Sequence, residues 1–509
     1  MSDLAIVDSS KPPFLDRVGL EGFPWVTALV LYTISYGWFW NVRNSFWSDD
    51  WYLFYESGIP KDWEYYGLAP WISFCKRLYQ ITGSGFLRLV TFNLFFVAAI
   101  FFYGISKKIP FFPERLKKFA TLLFLLLPFN IARISLMTFS YSVAYFFFFF
   151  AWYLVITFKS MWIKVLAAFL FFISFQYHAL LFFIALPILH LFSLEALKNW
   201  RQPIIWVRNN WFLALLPLIY VILRWFFWNK SNETNYHDVK IEGLWLFLKI
   251  LVIPSIAIPV IWVLGRFLRP EYRDGSRLFC VGVITMIFGL APYLIGGFFN
   301  KPEGFPLLYL LYFLGRTREW ESRFLMLQPI GATLLIIGLF AFVSVKLKKL
   351  QLSLQFVLIL ICVLLNVGFG FEHMTDYAKQ NEIIRELKDA GYNNEISEYI
   401  FIDKSAYLNA KGRKFSIEWL HFVDIAYGSE IAGNATSSTQ CRSSGDVRLV
   451  VIDGEASYWN VLQSWFNRGT FGFSVEILDG PTPCTAELVE NRGRQNQFPL
   501  LLYFNDAEK

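Results

Sequence analysis

Charged side chains are few in this chain. Asp, Glu, Lys and Arg make up 17% of its 509 residues, against 56% apolar and 20% aromatic, which excludes an ordinary soluble globule, where about a quarter are charged. Cysteine and histidine number five each, and none stands in an HExxH or paired CxxC pattern, so the sequence carries no metal-site signature. A phosphate-binding glycine loop is missing as well: the "GSG" at 83–85 opens an apolar run and has no strand before it. The first 20 residues carry "KPPF" and "DR" but no short apolar stretch leading to a small-residue cleavage site. No removable signal peptide is expected, and the first apolar segment serves as its own anchor.

What the chain has in plenty is long apolar runs. Mean hydropathy is +0.44, and runs near the length that crosses about 30 Å of hydrocarbon recur along most of the sequence. Spans are expected at 23–42, 86–105, 118–132, 139–157, 163–176, 179–194, 211–228, 245–264, 278–298, 324–345 and 352–370, about eleven in all. The net charge of +7 does not imply nucleic acid, because the basic residues sit in short loops between spans. With residues 1–22 cytoplasmic, "SKKIPFFPERLKKF", "KSMWIK", "LKNWRQPIIWVRNN", "GRFLRPEYRDGSRL" and "VKLKKLQ" all lie inside, as the positive-inside rule requires. Membrane lipid is therefore an expected partner and nucleic acid is not.

Residues 163–194 read either as one long tilted helix or as two short ones around "QYHA"; loop charge favours two. A break at that depth is tolerated where protein or a watery cavity surrounds it. Gln176, Tyr177 and His178 are thus candidate substrate contacts, with satisfaction of His178 by neighbouring backbone as the alternative. An odd span count leaves residues 371–509 outside. There "MTDYAKQNEIIRELKDAG" and "ASYWNVLQSWF" read as helices and "SEYIFID", "VRLVVIDG" and "FSVEILDG" as strands, which together make a soluble α/β domain. Cys441 and Cys484 fall in this tail, where a disulfide would fit an oxidising compartment; Cys75, Cys280 and Cys362 are expected to pack. His237 and Asp238, between spans seven and eight, read as a solvated connector.

The first outer loop, 43–85, is too long for a simple connection. "DDWYLFYESG" and "LAPWISFCKRLYQITG" each have an apolar face at helical spacing and read as helices in the interface plane. At the head of this loop, in "FWSDDWYLFY", Asp49 and Asp50 stand between tryptophans. One reading is that they cap an interfacial helix and complement its dipole. Neighbouring helical residues point about 100° apart, so one carboxylate can face a substrate while the other caps or orients.

An acidic pair just after span one, interfacial helices behind it, about eleven spans and an outer C-terminal domain resemble the GT-C superfamily of integral membrane glycosyltransferases. "SDDWYLFY" is similar to the start of bacterial members that take sugar from a polyprenyl-phosphate donor. The resemblance implies transfer to a glycan or lipid acceptor on the outer face of the bacterial plasma membrane, with Asp49 or Asp50 as the catalytic carboxylate. It also implies a basic residue before a late span that meets the lipid phosphate; "ESRFLMLQP" looks like that element and Arg323 is the match, with Arg316 and Arg318 close by.

Chemistry of this kind needs a base for the acceptor proton and a positive site for the phosphate leaving group, and arginine's planar fork suits phosphate oxygens. The competing reading for Arg323 is an exposed pair with Glu319 at helical spacing, worth only about 0.3–0.5 kcal/mol. Asp49 and Asp50 could hold a divalent ion, though two adjacent aspartates do not complete a site. Two rival classes remain at this point: a polyprenyl-linked glycan polymerase, and a lipid or glycan flippase, for which paired half-repeats or charges near span centres are expected.

Overall fold

Apolar side chains face outward along several of the described helices. The computed structural model describes residues 20–47, 50, 69–129, 131–195, 202–227, 245, 248, 270–295, 325–346, 348–393, 396–403, 416–427, 446–453 and 474–481. Helix α1, Trp25–Tyr36, buries Ala28, Tyr32, Ser35 and Tyr36 on one face and exposes Trp25, Val26, Leu29, Val30 and Ile34 on the other. An outward face of that composition is stable against hydrocarbon, not water. Among the described residues four helices are long and apolar enough to cross a membrane.

A 3₁₀ turn, Gly37–Val42, follows α1. Helix α2 runs over Ala69–Lys107 and joins what the sequence suggested as an interfacial helix and a separate span; it bends at Gly83, whose φ of 78° and ψ of 169° are reachable only without a side chain. Helix α3, Glu114–Leu126, ends earlier than the span expected at 118–132. The cause is Pro128, which forces the preceding Leu127 into an extended conformation (ψ 128°). A second 3₁₀ turn, Ile131–Ile134, leads into α4, Thr138–Thr157.

Helices α5 (Met161–Ser174), α6 (Ala179–Phe183) and α7 (Ala185–Glu195) settle the ambiguity at 163–194. Along α4, Tyr141 meets Tyr177, Phe148 meets both Phe171 and Phe183, and Trp152 donates to His190 Nδ1. The partners rise through α5 to the turn at 175–178 and return through α7. The chain therefore reverses at "QYHA" as a helical hairpin. Helix α8 covers Gln202–Phe227, and the span expected at 245–264 lies almost wholly outside the described residues.

Helices α9 (Pro270–Ile295) and α10 (Gln328–Lys346) pack antiparallel at backbone distance. A Cβ on Gly282 would stand 2.5 Å from Leu335 N, and one on Gly338 would stand 2.7 Å from Phe279 N. Small residues at the seam let two apolar helices approach to backbone contact, where dispersion is strongest.

Helix α11, Lys348–Ala390, is continuous for 43 residues. At 1.5 Å per residue it is about 65 Å long, roughly twice a hydrocarbon core. The span expected at 352–370 and the amphipathic helix after it are thus one element, ended by Gly391 at φ 73°. Beyond it come β1 (Ile396–Asp403), α12 (Ser416–Tyr427), β2 (Asp446–Asp453) and β3 (Ser474–Pro481). The sheet order is β1-β2-β3, with β1 and β2 parallel and β3 antiparallel to β2. Its core joins Tyr399, Val450 and Ile452 to Phe422 and Val423 of α12 and to Ile383 and Leu387 of α11. Residues 456–466, expected as a helix, lie outside the described residues, as do Cys441 and Cys484. Cys75, Cys280 and Cys362 are buried.

Candidate functional site

The segment that follows the first 3₁₀ turn is gripped from three sides. Arg88 of α2, 2% exposed, donates through Nε to Ile134 O at 2.8 Å, through Nη1 to Val42 O at 3.0 Å and to Arg43 O, and through Nη2 to Ser45 O at 2.6 Å. These carbonyls close the first 3₁₀ turn and the second, where a helix end lacks internal donors. The guanidinium also lies 5.0 Å over the Trp47 ring.

Asp50 answers it with acceptors. Its Oδ1 takes the Met137 N–H at 2.9 Å and the Ser135 hydroxyl; its Oδ2 takes the Leu136 N–H at 2.9 Å and the Trp47 N–H at 3.3 Å. The donors of Ser135, Leu136 and Met137 stand at the head of α4, a place suited to an anion. The bond back to Trp47 is matched by the Asp50 N–H, which donates to the Trp47 carbonyl at 3.0 Å. Asp50 is fully buried. Burial pushes its carboxyl above the usual range, against the pull of the Arg88 charge, the Ser135 hydroxyl and the two amides. A carboxylate ringed by N–H and O–H donors is a poor ligand for a cation, so Asp50 does not fit the divalent site that the adjacent pair suggested.

Helix α11 closes the third side. Trp47 Nε1 donates to Asp376 Oδ2 at 3.0 Å, and Gln380 Nε2 donates to Asp376 Oδ2 and to Phe46 O, each at 3.1 Å. His373 packs between Trp38 and Trp47, with ring centroids at 5.4 and 5.2 Å, and its Nδ1 bonds Phe369 O. Beside this clamp is a cavity of about 20 Å³ lined by Tyr32, Tyr36, Trp38, Arg88, Thr91 and Arg133 among others, room for a single water. The Arg133 guanidinium lies 3.6 Å above the Tyr36 ring.

Of the residues singled out from the sequence, Asp50 is at the centre of this cluster. Gln176, Tyr177 and His178 form the hairpin tip at the same end of α4. Tyr177 is buried 5.0 Å from Tyr141, and His178 lies 6.4 Å from the Tyr220 ring. Asp49, Arg316, Arg318 and Arg323 lie outside the described residues, as do His237 and Asp238. Among the described residues no group of three or more His, Cys, Asp or Glu stands together in a way that could hold a metal.

Sequence reading passed over Arg88, Arg133, His373, Asp376 and Gln380. For the two arginines a signal existed, a charge inside an apolar run. For the α11 residues it did not, since the polar face of an amphipathic helix reads as solvated until a partner covers it. No family model, curated protein or solved structure matches the chain.

Proposed function

We propose that this chain is an inverting membrane glycosyltransferase that moves a sugar from a polyprenyl-phosphate donor to a glycan or lipid acceptor on the outer face of a bacterial plasma membrane. On this reading eleven spans put the N-terminus inside and residues 371–509 outside. Asp49 takes the proton of the acceptor hydroxyl as that oxygen bonds the anomeric carbon and the bond from sugar to phosphate breaks. Arg323, with Arg316 and Arg318, receives the charge of the departing polyprenyl phosphate.

The observation that supports this division of labour is the saturation of Asp50. Both of its oxygens already accept from Trp47, Ser135, Leu136 and Met137. A carboxylate so engaged has nothing left for a substrate proton, which turns the adjacent pair into one anchor and one reagent. Asp50 is the anchor, and Asp49 is the reagent.

The test is transfer of radiolabelled sugar from a panel of polyprenyl-phosphate sugars by the purified protein, with membrane extract as acceptor. Wild type is expected to yield labelled product, and Asp49→Asn to lose roughly 10²–10⁴ of the rate, the usual share of a general base. Failure of wild type to transfer from any donor overturns the reading. Full activity in Asp49→Asn overturns the assignment of the base.

A further inference from the structure

Phe46 packs against two cores at once. It touches the cluster of Cys75, Leu87, Leu136, Met137 and Phe139 in the helical bundle, and the α/β core built on Ile383, Leu387, Tyr399, Phe422, Val450 and Ile452. One residue later the Trp47 indole N–H is held by Asp376, and the carbonyl of Phe46 itself is held by Gln380. Asp376 and Gln380 are one turn apart on α11, joined by their own hydrogen bond, and both are buried. One and two turns further along the same helix, Ile383 and Leu387 enter the α/β core with no exposed surface.

A single uninterrupted helix therefore carries three things: an apolar half able to cross a membrane, a polar turn that grips residues 46–47, and the floor of the α/β unit. We infer that Asp376 and Gln380 are positioning residues for Phe46 and Trp47, so that docking of the C-terminal α/β unit sets where Asp50, bonded to the Trp47 N–H, is held. The inference rests on the glycosyltransferase reading for its catalytic consequence, but the mechanical coupling does not. Asp376 acts here as a hydrogen-bond acceptor toward an indole. An amide oxygen in the same place meets that need, whereas a base loses its function as an amide.

The experiment uses the full-length protein in lipid nanodiscs and compares wild type with Asp376→Ala, Asp376→Asn, Trp47→Phe and the double variant Asp376→Ala with Trp47→Phe. Amide hydrogen exchange of residues 43–50 is read first. Exchange is expected to quicken about tenfold in Asp376→Ala and in Trp47→Phe, the net worth of one buried hydrogen bond. It should rise no further in the double variant, and should stay near wild type in Asp376→Asn. Sugar transfer is read second. In Asp376→Ala kcat should fall roughly tenfold or more with the donor KM unchanged, as misplacement of a reacting group costs rate rather than binding, and Asp376→Asn should restore most of it.

Unchanged exchange at 43–50 in folded Asp376→Ala overturns the clamp. Additive effects in the double variant overturn the pairing of Trp47 with Asp376. Quickened exchange with normal kcat overturns the positioning role. If exchange responds while wild type transfers from no donor, the glycosyltransferase reading falls and the coupling of α11 to residues 43–50 stands. Should Asp376→Ala fail to fold, Trp47→Phe carries the comparison, because it keeps an aromatic ring at this position and removes the N–H that Asp376 accepts.

Discussion

The Asp50 carboxylate and the Arg88 guanidinium stand 3.9 Å apart, Oδ2 to Nη2, with side chains 0% and 2% exposed. They do not close on each other because each is engaged elsewhere: Asp50 with the head of α4, Arg88 with carbonyls at the ends of both 3₁₀ turns. The pair balances its charge while stitching three chain segments together.

Removing one partner of such a pair leaves an uncompensated buried charge and costs about 3–5 kcal/mol. Asp50→Asn also turns an amide N–H₂ toward the N–H of either Leu136 or Met137, where only an acceptor fits. A clear drop in unfolding temperature in detergent is expected for Asp50→Asn and for Arg88→Met. Asp49→Asn should lose transfer without that drop. An Asp50→Asn protein with wild-type unfolding temperature contradicts the anchor role.

Two glycines two residues apart on α11 should respond oppositely to alanine. A Cβ on Gly370 meets the Trp38 indole at 2.6 Å, whereas one on Gly368 meets nothing within 4 Å. Trp38 cannot easily retreat, since its Nε1 is bonded to Ser35 O at 2.8 Å and its ring packs on His373. Gly370→Ala is expected to destabilise by about 1–3 kcal/mol, the range for overpacking. Gly368→Ala should gain about 0.5–1 kcal/mol from helix propensity. Thermal unfolding of the two variants side by side decides.

The bend in α2 gives a third contrast. Gly83 has open space around it, so alanine there meets no steric neighbour, yet its φ of 78° and ψ of 169° are strained for any L side chain. Gly83→Ala should cost about 1–3 kcal/mol through backbone strain alone. Gly85→Ala, whose Cβ would make ordinary contacts with Arg43 at 3.5 Å, should be close to neutral. Equal effects would mean that the bend is not held by the Gly83 conformation.

Stability of the α/β unit should depend on acid through one ion pair. Arg448, 2% exposed, makes a two-pronged bond to Asp479 at 2.6 Å for each oxygen and also reaches Gly391 O and the Tyr427 hydroxyl. That bond holds the Asp479 carboxyl below the usual range. A depressed acid contributes stability above its unfolded value, near pH 4, and the contribution is lost as pH falls below it. Amide exchange in β2 and β3 should therefore quicken as the solution is acidified below about pH 4, and Asp479→Asn should remove that step. Because Asp479 is partly exposed, salt should weaken the effect.

Local patterns in the sequence reached the helices, the reversal at "QYHA", the strands at 396–403, 446–453 and 474–481, and the stop at Gly391. Each of these is a property of one segment, set by its apolar period, its breakers or the sign of its loop charges. Boundaries shifted where a local steric rule intervened, as Pro128 did for α3, and where two expected segments ran on as one helix, in α2 and α11. Missing from that reading was whatever depends on two segments meeting. The pair Asp49 and Asp50 looked equivalent in the chain; only the meeting of residues 45–50 with α2 and the head of α4 made Asp50 an anchor. The polar face of α11 at His373, Asp376 and Gln380 looked solvated, and only the arrival of Trp38, Phe46 and Trp47 buried it. Sequence alone determined that this is a chain of apolar helices with a small α/β end and an acidic pair after its first apolar segment. Tertiary structure decided that Asp50 is occupied and which helix holds Phe46 and Trp47, because burial and hydrogen-bond saturation belong to contacts between elements far apart in the chain.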